Sequence, residues 1–271
     1  VEREQMVNNL ESQILSAKIR RGYKLENSIP MALKFDPRLP GFKMPPSSGV
    51  KTKSKRIPIP KNDEDIAFAT IGEQGYWIKR GHITSRKLTE IYLDRIKRLQ
   101  DKLECFATVT EKQALAEANT MDLLTDQGIN LGLLHGIPYG LKDLFDTKGI
   151  QTGWGAEPYR NRIPNEDAEI VKLLRSAGAV MLGKTALGAL AYNDIWYGGR
   201  TKNPWNLNEG SSGSSAGSAS ATASGLCGFS IGTETLGSIM SPSQRCGTTG
   251  LRPTFGRVSR RGSMALCWSL D

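Results

Sequence analysis

Only two histidines, His82 and His135, occur in 271 residues. Metal centres built on several imidazoles are excluded, and a Ser-His-Asp triad has few candidates for its base. Any hydrolytic chemistry in this chain therefore needs another group to move the proton. Cysteine is sparse as well: Cys105, Cys227, Cys246 and Cys267 lie far apart without a C-x-x-C pair. That spacing argues against a zinc knuckle and a disulfide scaffold, and leaves buried free thiols. No apolar run approaches the roughly 18 residues of a membrane-spanning helix, and mean hydropathy is −0.36. The N-terminal stretch carries Glu2, Glu4 and Glu11 and lacks an apolar h-region, so no secretory signal is visible and the cytoplasm is the expected compartment.

What is present points to a globular protein with a basic arm. A hydrophobic content of 38% over this length can bury a sizeable core. The formal charge of +9 is uneven: residues 1–60 hold 12 Lys/Arg against 5 Asp/Glu, a net +7, which leaves +2 for residues 61–271. The arm includes Lys51-Thr-Lys53-Ser-Lys55-Arg56 between Pro45-Pro46 and Pro58 and Pro60, a composition that favours an extended, solvated linker over a phosphate-binding patch. Nucleic acid is not the expected partner. The chain starts at Val1 and stops at Asp271, directly after the apolar Met264-Ala265-Leu266-Cys267-Trp268, and reads as a segment of a longer protein.

Beyond residue 60 the patterning is that of an α/β protein. Leu88, Ile91, Tyr92, Ile96, Leu99 and Leu103 recur at helical spacing behind the candidate N-caps Thr84 and Ser85. A second helix is expected from Thr110, with Gln113 completing a capping box, burying Ala114, Leu115, Ala118 and Leu123 or Leu124 and ending at Gly128. A third, over about 167–177, stops at Gly178 and is followed by the short buried strand Ala179-Val180-Met181-Leu182. Helix, strand and helix in alternation imply a layered α/β domain.

Three motif matches have simpler explanations. Gly178 to Thr185 fits G-x-x-x-x-G-K-T, but Ala-Val-Met-Leu between the glycines is strand sequence whose amides belong in a sheet. Gly213-Ser214-Ser215-Ala216-Gly217 fits the G-x-S-x-G nucleophile elbow, yet a polar loop precedes it and no histidine follows. Ser48 and Lys51 fit S-x-x-K inside the Pro-rich linker, where no rigid pocket forms.

The chemistry gathers further along. Residues 210–225 are almost entirely Gly, Ser and Ala, which alone would read as a flexible linker. Ala216, Ala219, Ala221 and Ala223 instead suit a closely packed helix, and the apolar run Leu226-Cys227-Gly228-Phe229-Ser230-Ile231 follows at once. Next comes Gly232-Thr233-Glu234-Thr235-Leu236-Gly237-Ser238-Ile239, a glycine-bounded turn that can aim backbone N–H groups at a developing oxyanion and leave the Ser238 hydroxyl open to attack a carbonyl. The base that composition points to is a lysine. Lys142, amid Leu141, Leu144 and Phe145, is expected to be desolvated enough to be neutral part of the time.

These segments resemble the amidase signature family over roughly Ile66 to Asp271. Gly136-Ile137-Pro138-Tyr139-Gly140-Leu141-Lys142-Asp143 is similar to the family segment that carries a catalytic lysine, which places that role on Lys142. Gly213-Ser214-Ser215-Ala216-Gly217-Ser218 resembles the stretch whose serine follows a cis peptide bond, here Ser214. The family nucleophile lies twenty-four residues on, at Ser238, and Cys246-Gly247 with Gly250 to Ser259 resembles the segment after it. The resemblance implies an amidase-signature layered fold with a central mixed sheet covered by helices, of which residues 61–271 are the N-terminal half, preceded by the arm of residues 1–60. It further implies hydrolysis of a small-molecule carboxylic amide through an acyl-enzyme, without metal or organic cofactor. Ser238 is then the nucleophile, Ser214 the relay and Lys142 the base. The backbone of Thr235, Leu236, Gly237 and Ser238 forms the oxyanion hole, with Ser215 and Ser218 as hydrogen-bonding supports. Leu236 stands where the family has glycine, Glu234 where it has Asp, and Met240 where many members have Arg. A backbone oxyanion hole tolerates Leu236 only at negative φ. Two other readings stay open: the A subunit of a glutamyl-tRNA amidotransferase, and a catalytically silent basic interaction protein. Homo-oligomerisation is left open, and no membrane is involved.

Overall fold

The computed structural model describes residues 2–23, 41–43 and 57–267. Its centre is a four-stranded mixed sheet in the order β1-β3-β2-β8, formed by β1 (Phe106–Val109), β2 (Pro138–Lys142), β3 (Val180–Thr185) and β8 (Phe229–Ile231). β2 runs parallel to both β3 and β8, whereas β1 is antiparallel to β3. Every residue of β2 and β3 is buried, as expected for strands covered on both faces. The P-loop match is thereby removed, since Val180 to Thr185 is a central strand.

One face of the sheet is covered by α4 (Ser85–Leu103) and α5 (Glu111–Asp126), with the short α2 (Asp63–Ala67) and α3 (Ile71–Lys79) beside them. The predicted apolar stripe of α4 is there: Leu88, Ile91, Tyr92, Ile96 and Leu103 are buried, and the Thr84 side chain caps the helix by accepting from the Lys87 N–H. The start of α5 differs from expectation. No capping box forms at Thr110, whose hydroxyl donates to the Met181 carbonyl at 3.0 Å while Gln113 turns to Glu117. The Thr110 N–H, which a capping box would give to Gln113, donates instead to the Leu182 carbonyl of the neighbouring strand at 2.9 Å. Leu124 packs against the core and Leu123 is exposed. On the other face lies α6 (Glu169–Ser176), shorter than predicted, contributing Val171 and Leu174.

Two short ribbons, β4 (Ile195–Trp196) with β5 (Gly199–Arg200) and β6 (Lys202–Asn203) with β7 (Asn206–Gly210), lead to α7 (Ala216–Ala223). The Gly/Ser/Ala stretch is thus a buried helix, not a linker. A last helix, α8 (Met240–Cys246), follows the turn after β8. The arm was expected to be extended, yet Glu2–Gly22 is a helix, α1, with Val7, Leu10, Ile14 and Ile19 exposed. Its alternation of Leu, Ile, Ala, Glu, Lys and Arg is strong helix-forming sequence, which net charge alone does not reveal. The basic run at 51–56, and Ser48 with Lys51, lie outside the described residues. No described helix is long and apolar enough to cross a membrane.

A bulge decides what β2 and β3 present to each face. Tyr139 pairs with Met181, but Gly140 pairs with Gly183, so Leu182 is skipped and the phase of β3 changes. Before the bulge, Val180 and Leu182 face the α4–α5 layer and Met181 the α6 layer. After it, Lys184 is in register with Leu141 and Thr185 with Lys142. Leu141 belongs to the α6-side core, so Lys142 and Thr185 face the side where α7 lies, and Lys184 faces away. Strict alternation along β3 would have set both lysines on one face.

Candidate active site

Lys142 closes β2 and is wholly buried. Its Nζ donates to Ser214 Oγ at 2.9 Å, Ser215 Oγ at 3.1 Å, Thr233 Oγ1 at 2.8 Å and the Thr233 carbonyl at 3.4 Å. Ser214 and Ser215 are buried at the entry to α7, and the Gly213–Ser214 peptide is cis, as the family resemblance implied. A Cβ on Gly213 would run into the carbonyl of Asn193, so only glycine fits ahead of Ser214.

Ser215 holds three segments together. Its hydroxyl donates to the Thr233 carbonyl at 3.0 Å and accepts from the Thr233 N–H at 3.2 Å, and its own N–H donates to the Ser238 carbonyl at 2.9 Å. The cis-bonded serine pair is therefore joined directly to the backbone of Ser238. With its hydroxyl engaged in this way, Ser215 is a brace, and the elbow reading has no support. Ser238 is half-buried and follows Gly237, whose φ of +83° lies in the left-handed region.

The sequence assigned Ser218 a bond to Lys142 or Ser214. The structure gives it different partners. Its hydroxyl donates to the Ile231 carbonyl at 3.1 Å, so in its 2.8 Å contact with Thr185 Oγ1 it accepts. One helical turn beyond Ser214, Ser218 ties α7 to β3 and β8.

Two contributors were missed. Thr233 Oγ1 accepts from Lys142 Nζ at 2.8 Å, and its hydroxyl stands in plain view in the Gly232-Thr233-Glu234 string. Glu234 accepts from the Ile239 and Met240 N–H groups, each at 2.8 Å, and stands 3.4 Å from Arg252 Nε. A carboxylate with two backbone donors at the start of a helix is a strong anchor. The side chain of Glu234 thus holds the backbone just after Ser238. Leu236 is 90% exposed and does not have positive φ, so the negative-φ condition for a side chain in that turn is met. The N–H groups of Leu236, Gly237 and Ser238 donate to no group among the described residues.

Neither histidine enters this cluster. His135 Nδ1 accepts from the Leu131 N–H at 3.2 Å, which leaves Nε2 to donate to the Met121 carbonyl at 3.1 Å. That histidine ties a loop to α5. His82 packs against Tyr76. Burial pushes the Cys227 thiol up to about 11, which keeps it protonated and inert at neutral pH.

A second buried charge sits on the opposite face of the sheet. Lys184 Nζ donates to the Phe145 carbonyl, Thr147 Oγ1 and Thr152 Oγ1, and stands 3.9 Å from Asp143 Oδ1. Asp143 Oδ2 accepts from the Gly153 N–H, while Oδ1 has no hydrogen bond among the described residues. Burial pushes the Asp143 carboxyl above the usual carboxylate range and the Lys184 ammonium below the usual lysine range, and their mutual attraction offsets part of each shift.

Comparison with known proteins agrees with this geometry. The family model described as Amidase matches residues 87–271. The A subunit of glutamyl-tRNA(Gln) amidotransferase from Alkaliphilus metalliredigens is 43% identical over 203 residues, covering 72% of this chain and 41% of the relative. Its namesake from Chromohalobacter salexigens is 42% identical over 205 residues, covering 74% and 42%. Among solved structures, the peptide amidase of Stenotrophomonas maltophilia superposes with a TM-score of 0.70 at 36% identity, covering 74% of this chain and 43% of that one. A fatty acid amide hydrolase superposes with a TM-score of 0.72 at 27% identity, covering 76% and 37%. The chain spans about two fifths of the length of the curated relatives it matches. A mixed sheet, a buried lysine bonded to a cis-linked serine, and a family match over the greater part of the sequence lead to one assignment: the chain belongs to the amidase signature family.

Proposed function

We propose that the protein cleaves carboxylic amides through an acyl-enzyme formed on Ser238. In this reading Ser238 Oγ attacks the carbonyl carbon as its proton passes to Ser214 Oγ, whose own proton passes to Lys142 Nζ. The oxyanion is held by backbone N–H groups between Thr235 and Ser238, of which those of Leu236, Gly237 and Ser238 donate to no described residue. Collapse breaks the C–N bond and the proton returns from Lys142 through Ser214 to the leaving nitrogen, releasing ammonia or an amine. Water then takes the place of the leaving group, and the same relay serves hydrolysis of the ester. The observation that carries this reading is the 2.9 Å bond from a wholly buried lysine amine to a serine set on a cis peptide, with no histidine near.

A second reading is favoured by the 43% identity to an amidotransferase of the glutamyl-tRNA(Gln) type: the same chemistry applied to glutamine, with the ammonia passed to partner proteins. Ammonia release by the purified protein, measured against glutamine and against primary amides of varied acyl group, separates the two. Glutamine as the sole substrate supports the amidotransferase reading, and turnover of other amides supports the amidase. In either case Ser238→Ala and Lys142→Ala should each cut kcat/KM by about a thousandfold or more. The limb of the wild-type profile that rises with pH should vanish with Lys142. Full activity in either variant would sink the mechanism.

We also propose that the folded unit begins slightly ahead of residue 61, because Ile57 and Ile59 pack on the core and the Ile57 carbonyl accepts from Trp77 Nε1 at 3.0 Å.

A further inference from the structure

The oxygens around Lys142 Nζ have unequal freedom to donate or accept, and this fixes more than a distance. The Thr233 carbonyl is an acceptor only. Ser215 spends its hydroxyl proton on that carbonyl at 3.0 Å, so towards Lys142 its oxygen can only accept. Thr233 Oγ1, at 2.8 Å, is the shortest of the four contacts. A neutral primary amine has two N–H groups and one lone pair. If Ser215 Oγ and Thr233 Oγ1 take the two N–H groups, the lone pair is left for Ser214 Oγ at 2.9 Å, where a proton must arrive. Once protonated, the nitrogen donates its third N–H to that same Ser214 oxygen, so no heavy atom has to move between the two states.

We propose that Thr233 is a positioning residue for the Lys142 amine: with Ser215 it claims the two N–H groups and so aims the lone pair at Ser214. This rests on the Ser238–Ser214–Lys142 reading above and adds to it the group that orients the base. Such orientation before reaction is worth much in rate, because a misdirected lone pair must be turned at every turnover. Thr233 is well placed for the task. It lies two residues beyond the end of β8, and its N–H and carbonyl are both clamped by Ser215 Oγ, so its side chain has a fixed origin.

The charged side chains on the elements next to Lys142 have described partners of their own. Asp143 faces Lys184, and Glu234 turns to the Ile239 and Met240 N–H groups and to Arg252. α7 and β8 carry no charge, and Arg245 on α8 pairs with Glu209. Substitution at Thr233 leaves all of these in place.

Removing the Thr233 hydroxyl takes an acceptor from the ammonium form, which needs it more than the amine does, so Lys142 should then lose its proton at lower pH. The test uses protein carrying 13C at the lysine Cε positions, with the Lys142 resonance assigned by its loss in Lys142→Met. It is titrated in the wild type, Thr233→Val and Thr233→Ser, and kcat for amide hydrolysis is read alongside. The Val variant should titrate about one unit lower and lose about ten- to a hundredfold in kcat at its plateau. The Ser variant, which keeps the hydroxyl, should titrate with the wild type. If Thr233→Val does not melt cooperatively, Thr233→Ala takes its place. A Val or Ala variant titrating with the wild type, or a Ser variant shifting as far as they do, overturns the proposal. The titration reads the amine without turnover, so an unmoved resonance defeats the role of Thr233 and leaves the Lys142 mechanism standing. Amide hydrolysis that survives Lys142→Ala defeats the mechanism itself.

Discussion

At the scale of single residues, the two buried lysines show how environment divides labour. Lys142 is surrounded by the hydroxyls of Ser214, Ser215 and Thr233, whereas Lys184 is held by a carbonyl, two threonines and a carboxylate. Lys184 fastens the 143–152 segment beneath the site. Replacing it with Met should lower unfolding free energy in urea by about 3–5 kcal/mol, because Asp143 is left buried without its counter-charge. The pH dependence should change too. A carboxyl raised in the folded state keeps its proton there longer, so it lends stability at low pH that is lost as pH rises from the unfolded value through the folded one. Lys184 holds Asp143 down, so Lys184→Met should widen that window and make stability fall further towards neutral pH. In the wild type the lowered Lys184 works the other way, with stability growing as pH rises from its folded value to its unfolded one. Urea titrations from acid to alkaline pH on both proteins check the signs.

At the scale of elements, α7 owes its position to being small. A Cβ on Gly217 would collide with the Cys105 carbonyl and the Ala186 amide nitrogen, and the Gly217 N–H donates to the Ala186 carbonyl at 2.8 Å. Close approach brings the first turn of α7, and with it Ser214 and Ser215, up to the end of β2. Gly217→Ala should therefore destabilise by about 1–3 kcal/mol despite the better helix propensity of alanine. Gly72 in α3 is the contrast. It is exposed, and a Cβ there meets only Thr70 Oγ1 at 3.9 Å. Gly72→Ala should stabilise by about 0.5 kcal/mol. Equal effects of the two substitutions in thermal melts would show that close packing of α7 is not what demands glycine. The same packing explains why a run of Gly, Ser and Ala resists interpretation from composition. The feature that separates it from a linker is the apolar strand that follows.

At the scale of the whole molecule, the proposed start of the folded unit close to residue 57 rests on Ile57, Ile59 and the Ile57 carbonyl. Deletion of residues 1–60 should melt lower than deletion of residues 1–56, since only the longer deletion removes Ile57 and Ile59 from the core and the acceptor from Trp77 Nε1. The difference should be about 5–10 °C, from one buried donor left unpaired and two isoleucines lost. Coincident melts would place the boundary at 61 or later. Placement of charge follows the same division, with most of the net positive charge ahead of the boundary and near balance behind it.

The sequence by itself determined the helical runs of α4, α5 and α6, the small-residue helix α7, the strand runs of β3 and β8, the shortage of histidine that makes a lysine the candidate base, and the candidacy of Lys142, Ser214 and Ser238. These are local properties, written in periodicity, composition and the spacing of glycine-rich motifs. Net charge and proline content taken over the arm as a whole do not report α1. Thr110, Ser218 and Thr233 each carry a hydroxyl whose partner is a residue distant in sequence, Met181, Thr185 and Lys142 respectively. No local pattern reports such a choice. The bulge at Leu182 is the sharpest instance: a single skipped residue, invisible in the alternation of β3, sends Lys184 to one face and leaves Lys142 on the other with the serines. Side-chain direction in a strand has a period of two, so only the pairing of strands in three dimensions decided which lysine lies with the candidate serines.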